Sequence, residues 1–275
     1  MKILARLLLV LAAGCVVGFS GCQDTSEGLT VEVLKKRNEL VVLTDPTFYP
    51  YEYWDGDSGK IVGIDIEIAN LIAAELGVRL EVRQQSFERL LPSLDSNEGD
   101  IAAAAISLTP ENGSAYPHSE PYSEVCQKIL VAGDCDDIKG LNDLAGRKIG
   151  APQNTTSATF IQKLRKAADS PFEADADTRV ETFENTIATI QALKNRHVDA
   201  ILLDSPTAEY YGGRDSGLKV LPGRFGDEKY SFMYSKNMSK EVVDLIDRII
   251  ARIKADGTLD KFYAKHGLGN ADEGG

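Results

Sequence analysis

Apolar residues recur along this chain in two alternating rhythms. Leu40-Val41-Val42-Leu43-Thr44 is an unbroken, largely β-branched run ended by Asp45-Pro46, which reads as a buried strand. After the turn Asp57-Ser58-Gly59-Lys60, the residues Ile64, Ile68, Leu71, Ile72 and Leu76 fall on one helical face, and Gly77 is a suitable stop. Residues 78–82 read as a strand. Ser86 is placed to cap a helix reaching about residue 96. Residues 100–106 form an apolar strand of mostly small side chains that ends at Ser107.

The rhythm restarts at 141–144, a short helix, followed by a strand over 148–151 and a helix after Thr155-Thr156-Ser157. Strands are expected over 180–183, 199–203, 219–221 and 231–234, with helices over 184–195 and from Pro206 to about residue 211. Ser239 caps a long amphipathic helix with Val242, Leu245, Ile246, Ile249 and Ile253 inward, and a last helix follows Gly257-Thr258. Strands alternating with helices predict an α/β fold with mostly parallel sheets. Two such runs in 275 residues predict two lobes. Ligands of open parallel sheets bind beyond the carboxyl ends of the strands. The polar clusters there are 44–48, 107–109, 153–156 and 204–206, and facing lobes bring them to one cleft.

The net charge of −12 argues against nucleic acid and anionic membrane surfaces, which need a basic face. The N-terminus carries a different message. Lys2 and Arg6 precede an apolar stretch over 7–17, then Phe19-Ser20-Gly21-Cys22 and the polar run Gln23-Asp24-Thr25-Ser26-Glu27. This is the layout of a secretion signal, shorter than the ~20 residues of a membrane span. Small residues before a Cys resemble the bacterial lipoprotein box, in which the Cys thiol is lipidated. Ala12-Ala13-Gly14-Cys15 is a competing box, but Cys22 is preferred because the chain turns polar directly after it. Residues 1–22 are therefore expected to be a lipoprotein signal peptide. Residues 23–37 are expected to be a polar tether with a short helical stretch.

Cys126 and Cys135 can pair in an exported protein, yet the intervening strand 127–132 separates them unless the chain turns back sharply at Gly133. His118, His197 and His266 are too scattered for a metal site, and no phosphate loop or nucleophile triad is present. No cofactor and no metal are expected.

Gly63-Ile64-Asp65-Ile66-Glu67-Ile68, with Leu71-Ile72 and Leu76, closely resembles the signature of bacterial extracellular solute-binding proteins of family 3, the polar amino-acid receptors of ATP-driven importers. Phe48-Tyr49-Pro50-Tyr51-Glu52, Gly99-Asp100-Ile101, Ser119-Glu120-Pro121-Tyr122, Leu141-Asn142-Asp143-Leu144 and the closing Gly257-Thr258-Leu259-Asp260-Lys261-Phe262-Tyr263 follow the family in order. The resemblance runs over roughly 40–267. It implies a two-lobed periplasmic-binding-protein-like fold of the type II kind. One lobe spans about 38–123 plus 224–275, the other about 124–223, and two strands between them form a hinge. It further implies an ABC permease as partner, a periplasmic or outer-surface location and action as a monomer.

The resemblance also implies a site. Asp45 matches a position that contacts the ligand's polar side chain or amine; it is equally a good turn-former before Pro46. Phe48 and Phe87 match aromatic cleft walls, and both also suit ordinary core. Ala104, Ala105 and Ser107 match a strand end that offers backbone carbonyl and hydroxyl groups. Asn154 and Thr155 match a loop at a helix start, where free amides suit an anion and where capping residues are also expected. Asp204 matches the carboxylate that holds the ligand ammonium, or else caps the helix after Pro206. One position departs. Where the family places an Arg three residues after Thr109, this chain has Asn112, which cannot supply a charged fork for a carboxylate. Keeping Asp45 and Asp204 without that Arg favours a cationic, amine-bearing ligand such as an amine, guanidine or modified amino acid; the alternative is a standard polar amino acid held by helix-start amides and Ser107. Two other functions stay open: a cyclohexadienyl dehydratase-like enzyme, and a ligand-sensing partner of a membrane receptor.

Overall fold

The computed structural model describes residues 28–167 and 177–268. Cys22 and residues 1–21, expected to form a signal peptide with a lipidated Cys, lie outside the described residues. In chain order, α1 (Val31–Arg37) leads into β1 (Glu39–Thr44). A small meander of β2 (Thr47–Phe48), β3 (Glu52–Asp55) and β4 (Lys60–Val62) precedes α2 (Ile64–Leu76), β5 (Arg79–Gln84), α3 (Phe87–Asp95), β6 (Ile101–Ala102) and α4 (Pro110–Ala115). The chain then crosses on β7 (Ser123–Ala132) and builds β8 (Lys148–Pro152), α5 (Thr156–Lys166), β9 (Arg179–Phe183), α6 (Thr186–Lys194), β10 (Ala200–Asp204), α7 (Ser205–Arg214), β11 (Leu218–Val220) and β12 (Phe225–Tyr230). It returns through β13 (Met233–Tyr234), α8 (Lys240–Ala255) and α9 (Thr258–Lys265).

The strands form two lobes, each around its own sheet. The first sheet has the order β13-β6-β1-β5 and the second β11-β7-β10-β8-β9, with β12 also on β7. The two-lobed α/β fold is as expected, but the sheets are mixed rather than mostly parallel. In the second, β8 runs parallel to β9 and β10, while β7 runs antiparallel to β10, β11 and β12. The reason is the crossing itself: β7 enters from the other lobe and runs against the strands it joins. The connection back is β12, which pairs with β7 from Ser123↔Tyr230 onward. Leu108 N donates to Lys229 O at 2.8 Å and Ser231 N to Ile106 O at 3.0 Å, so the end of β12 is also tied to the first lobe. Strand pairing thus carries the second sheet through Tyr230, past the division at 223/224 expected from the sequence.

Local sequence explains the scaffold. On α2, Ile64, Ile68, Ile72 and Leu76 are buried, and burying each such side chain contributes roughly 1.5–3 kcal/mol. Gly77 ends the helix in the left-handed region at φ 68°. Gly63 is needed for a separate reason: a Cβ there stands 2.1 Å from the carbonyl oxygen of Tyr51. In the second lobe both faces of the sheet are covered. Ile129, Val131, Ile149 and Leu202 pack on one side, and Leu130, Ile201, Leu203 and Leu193 on the other. That is why β7 and β10 read as unbroken apolar runs.

Of the segment 23–37 expected to be a tether, the structure describes residues 28–37. Thr30 accepts from Val33 N and caps α1, whose Leu34 is fully buried in the first lobe. Leu29 forms an isolated bridge to Met238. Residues 29–37 are therefore part of the lobe. Both Cys126 and Cys135 are free. From Cys126, β7 runs on to Ala132 at ~3.3 Å per residue and carries the chain away before Cys135 is reached.

A second bridge joins the lobes outside the cleft. Tyr49 of the first lobe stacks on Tyr210 of α7, with centroids 3.4 Å apart and planes 22° apart. The Arg214 guanidinium lies 4.3 Å from the Tyr210 ring centre and 6.0 Å from that of Tyr49. Thr207 Oγ1 donates to Tyr49 O at 2.7 Å. The hydroxyl of Tyr49 donates to the backbone carbonyl of His266, and Tyr53 is hydrogen-bonded to His266 Nδ1 at 3.0 Å.

Candidate ligand-binding cleft

Between the lobes lies a cleft of about 1030 Å³. The first lobe contributes Asp45, Phe48, Phe87, Ala104, Ala105, Ser107 and Asn112; the second contributes Asn154, Thr155 and Asp204. All ten residues singled out in the sequence line this one space, as expected if strand ends of facing lobes converge.

Their individual situations differ from the simplest expectations. Asp45 does more than end a strand: its Oδ2 accepts from Phe87 N at 3.0 Å. It thereby serves the start of α3, where Ser86 occupies the N-cap position without a side-chain hydrogen bond. Burial raises the Asp45 pKa, opposed by the Phe87 amide. Phe48 stacks on Tyr51 at 6.2 Å and leans on the first-lobe core, and Phe87 packs beside Leu90 and Leu94. Each aromatic is cleft wall and core at once. Trp54 is half exposed and does not line the cleft.

Ala104 and Ala105 are buried, and Ala105 has φ +46°. That left-handed conformation is uncommon for a residue with a Cβ and costs of order 1–3 kcal/mol. It is held by Asp65, whose Oδ2 accepts from Ala105 N at 2.9 Å. Asp65 is fully buried on α2, and burial pushes its pKa up to about 7. The Ser107 hydroxyl donates to Glu228 of β12.

Asn112 is committed to its own helix. Its Oδ1 accepts from Thr109 N at 2.9 Å, and Thr109 Oγ1 accepts from Asn112 N at 3.3 Å, which closes a capping box. Its amide group donates to Ser107 O at 2.7 Å. Asn112 therefore braces the strand end and supplies no charge. Lys163 on α5 and Lys229 on β12 are the lysines lining the cleft among the described residues, and Lys229 pairs with Glu124 at 3.0 Å.

On the second lobe, Thr155 caps α5 by accepting from Ala158 N, and its hydroxyl donates to Pro152 O at 2.7 Å. Asn154 at φ +60° and Gln153 both reach across to Glu88 Oε2, at 3.3 and 3.0 Å. Asp204 stands at the N-cap position of α7 yet makes no side-chain capping bond. Its oxygens accept instead from Gln127 Nε2 and Tyr230 OH. Burial is the main cause of its pKa rising to about 7, with the Glu228 charge adding to it.

Residue patterns did not single out four participants. Gln127 donates to Asp204 and, at 2.8 Å, to Glu228, and accepts from Ser157 at 2.6 Å. It interrupts an apolar strand, which was its available signal. Asp65 and Glu52 are acids in apolar surroundings of the sequence and carried the same signal. Glu228, in a strand that reads as polar, carried none. The lining is lopsided in charge, with eight carboxyl side chains against two lysines. No histidine or cysteine lines the cleft among the described residues. The chemistry on offer is acceptance of hydrogen bonds from a cation between aromatic walls.

Comparison with known proteins finds similar chains and similar folds. The chain is 26% identical over 260 residues to the L-cystine-binding protein TcyJ of Escherichia coli K12, covering 94% of this chain and 93% of that one. Among solved structures, the amino acid ABC transporter substrate-binding protein AbpA of Streptococcus pneumoniae, bound to L-arginine, superposes with a TM-score of 0.76 at 32% identity, covering 86% of this chain and 97% of that one. The ancestral amino-acid-binding protein AncCDT-1, a precursor of cyclohexadienyl dehydratase, superposes with a TM-score of 0.74 at 30% identity, over 86% and 98%. The model of the bacterial extracellular solute-binding proteins, family 3, matches residues 40–269, and the chain belongs to that family.

Proposed function

We propose that this protein captures a small polar, amine-bearing solute, an amino acid or related cationic compound, between its lobes and delivers it to an ABC-type permease. The observation that carries the cationic preference is Asp204. It is 7% exposed, does no capping, and lies in a carboxyl-rich cleft with no lysine or arginine paired to it among the described residues. A buried carboxylate without a cation is costly, and a ligand ammonium or guanidinium relieves that cost. Asn112, locked in its capping box, removes the family's usual carboxylate clamp. The relatives named for arginine support the same chemistry, while those named for cystine mark the alternative ligand.

Export and anchoring through a lipid on Cys22, and action as a monomer, complete the reading. They rest on the N-terminal sequence and the family. Calorimetry and thermal shift with L-arginine, L-lysine, L-histidine, agmatine, L-cystine and L-glutamine test the ligand class. Sub-micromolar binding of a cationic member is expected. Tight binding of L-cystine or L-glutamine, with no cationic ligand bound, overturns the cationic preference. Radiolabelled palmitate incorporation that disappears in Cys22→Ala tests the anchor. An enzymatic reading keeps one observation in its favour, the raised pKa of buried cleft carboxyls that a general acid needs. Turnover of prephenate or arogenate by the purified protein is the outcome that establishes it, and none is expected.

A further inference from the structure

The aromatic contact beside α7 is made of two halves, each fixed by its own lobe. On the first lobe, the Tyr49 ring lies 4.4 Å from that of Tyr53, and its hydroxyl donates to the backbone carbonyl of His266. On the second, the Tyr210 ring stands edge-on to Tyr211 at 5.1 Å, and Tyr211 packs against the core beneath α7. Groups positioned before they meet lose little freedom on meeting. Thr207 adds a polar tie. It is fully buried, and its hydroxyl donates across the junction to Tyr49 O at 2.7 Å rather than to a carbonyl of its own helix. Arg214 comes equally close to the first lobe: a Cβ on Gly267, just after α9, would stand 3.0 Å from both Arg214 Nη2 and Tyr49 OH.

Tyr49, Thr207, Tyr210 and Arg214 are not part of the cleft lining. Each half nevertheless shares its backbone with a residue that is. Tyr49 directly follows Phe48, one aromatic wall of the cleft. On the other side, α7 begins directly after Asp204, and Tyr210 follows roughly 9 Å further along its axis. A helix is stiff over that length, so a movement that brings Asp204 toward the first lobe carries Tyr210 with it. The same conformation brings Gln153 and Asn154 onto Glu88 across the cleft. Contact beside α7 and contact across the cleft therefore occur together. Against them stands the repulsion among the cleft carboxylates.

We propose that Tyr49 of the first lobe and Thr207, Tyr210 and Arg214 of α7 form a latch of the closed conformation, which holds a fraction of the molecules closed before any solute enters. Two opposed devices then set the resting position of the lobes. The latch draws them together outside the cleft, and the gathered acids push them apart within it. A solute meets a cleft already biased toward closing, and the latch residues act on its capture without touching it. No choice of solute enters this assignment, which concerns the free protein.

Pulsed electron–electron double resonance on the purified, ligand-free protein tests it. Nitroxides are placed on Ala74→Cys of α2 and Gln191→Cys of α6, both exposed positions on different lobes, with Cys135→Ser removing the partly accessible native thiol. Two distances are expected without the latch substitutions, one for each position of the lobes. Tyr210→Ala should lower the closed-to-open ratio by about tenfold, through loss of the stack and of the Arg214 contact. Thr207→Val keeps the side-chain volume and loses the hydrogen bond to Tyr49 O; it should lower the ratio by about fivefold and supplies the test if Tyr210→Ala does not fold. Glu209→Ala, on the exposed face of the same helix, should leave the ratio unchanged. A single open distance before any latch substitution overturns the latch. So does an unchanged ratio in Thr207→Val and in any folded Tyr210→Ala. A rise in the closed fraction of either variant overturns it as well, because the contact then holds the lobes apart.

Discussion

The lobes are joined across two regions whose electrostatics are opposite. Beside α7, Tyr49 and Tyr210 stack and Arg214 lies over the pair, so this contact carries its own cation and its own aromatic faces. In the cleft, Phe48 and Phe87 supply the faces and Asp45, Glu52, Asp204 and Glu228 supply the acids, but no guanidinium or ammonium is paired among them in the described residues. One bridge is complete without help. The other gathers like charges, which disfavours closing the cleft until something positive enters. On the proposed function, a cationic ligand is to the cleft what Arg214 is to the aromatic bridge. Closure depends on the ligand's differential affinity for the closed form.

The strongest way to break this comparison is Asp204→Asn. Asparagine's single oxygen still accepts from Tyr230 while its NH2 group faces the Gln127 amide, so the charge and one hydrogen bond are lost and the melting temperature is measured alongside. Removing one partner of a buried charged pair costs about 2–5 kcal/mol, which is a loss of roughly 30-fold to several thousand-fold in affinity. Isothermal calorimetry with L-arginine measures it. A loss below threefold means that the cation does not sit at Asp204.

Asn112→Arg sharpens the comparison from the other side. It restores a planar fork to the cleft and should raise affinity for L-arginine by roughly 10- to 100-fold through a charged hydrogen bond of about 1.5–3 kcal/mol. Agmatine, the same cation without the carboxylate, should gain nothing. The Thr109–Asn112 capping box is lost at the same time, which costs about 0.5–2 kcal/mol and lowers the melting temperature. Equal gains for both ligands show a change other than carboxylate recognition.

The residues behind these two tests were legible to different degrees. Asp204 stood out because an acid closes the apolar run 200–203, and such a strand end faces the cleft in a parallel arrangement. What it does not do, cap α7, depended on Tyr230 and Gln127 arriving from β12 and β7, and that long-range meeting has no local pattern. The mixed second sheet was missed for the same reason: period and composition identify β7 as a strand but carry no information on its direction. A short helical stretch was expected somewhere within 23–37, yet its docking as α1 was not, since a single buried Leu34 among Lys35, Lys36 and Arg37 is a weak apolar signal. The aromatic bridge was invisible, because 160 residues separate Tyr49 from Tyr210 and tyrosine suits a surface as well as a core.

The two regions also respond oppositely to pH. Asp65 and Asp204 bind protons in the native state up to about pH 7, while unfolded aspartates release them near 3.9. Between those values the native state holds more protons, so stability falls as pH rises, by about 1.4 kcal/mol per pH unit for each group. His266, beside Tyr49 and Tyr53, is shifted the other way by burial. It binds fewer protons when folded, so its contribution is lost as pH falls below about 6.5. Asp65→Asn should flatten the decline in urea-derived stability between pH 5 and 7 by about one group's share. An unchanged slope means that Asp65 is ionised in the native protein despite its burial.

The smallest expected effect comes from the bridge that is already complete. Arg214→Leu keeps much of the apolar stem and removes the charge from the Tyr210 face, an interaction worth about 0.5–1 kcal/mol at a partly exposed site. The lobes meet directly in this conformation, through Tyr49–Tyr210 on one side and Gln153 and Asn154 on Glu88 at the cleft. If the aromatic bridge belongs to the closed form, its weakening passes into ligand affinity as a loss of roughly two- to fivefold. Small-angle scattering of the ligand-free variant should then show a larger radius of gyration than wild type. A gain in affinity reverses the assignment: the bridge then holds the lobes apart, and the cation in the cleft works against Arg214 rather than beside it.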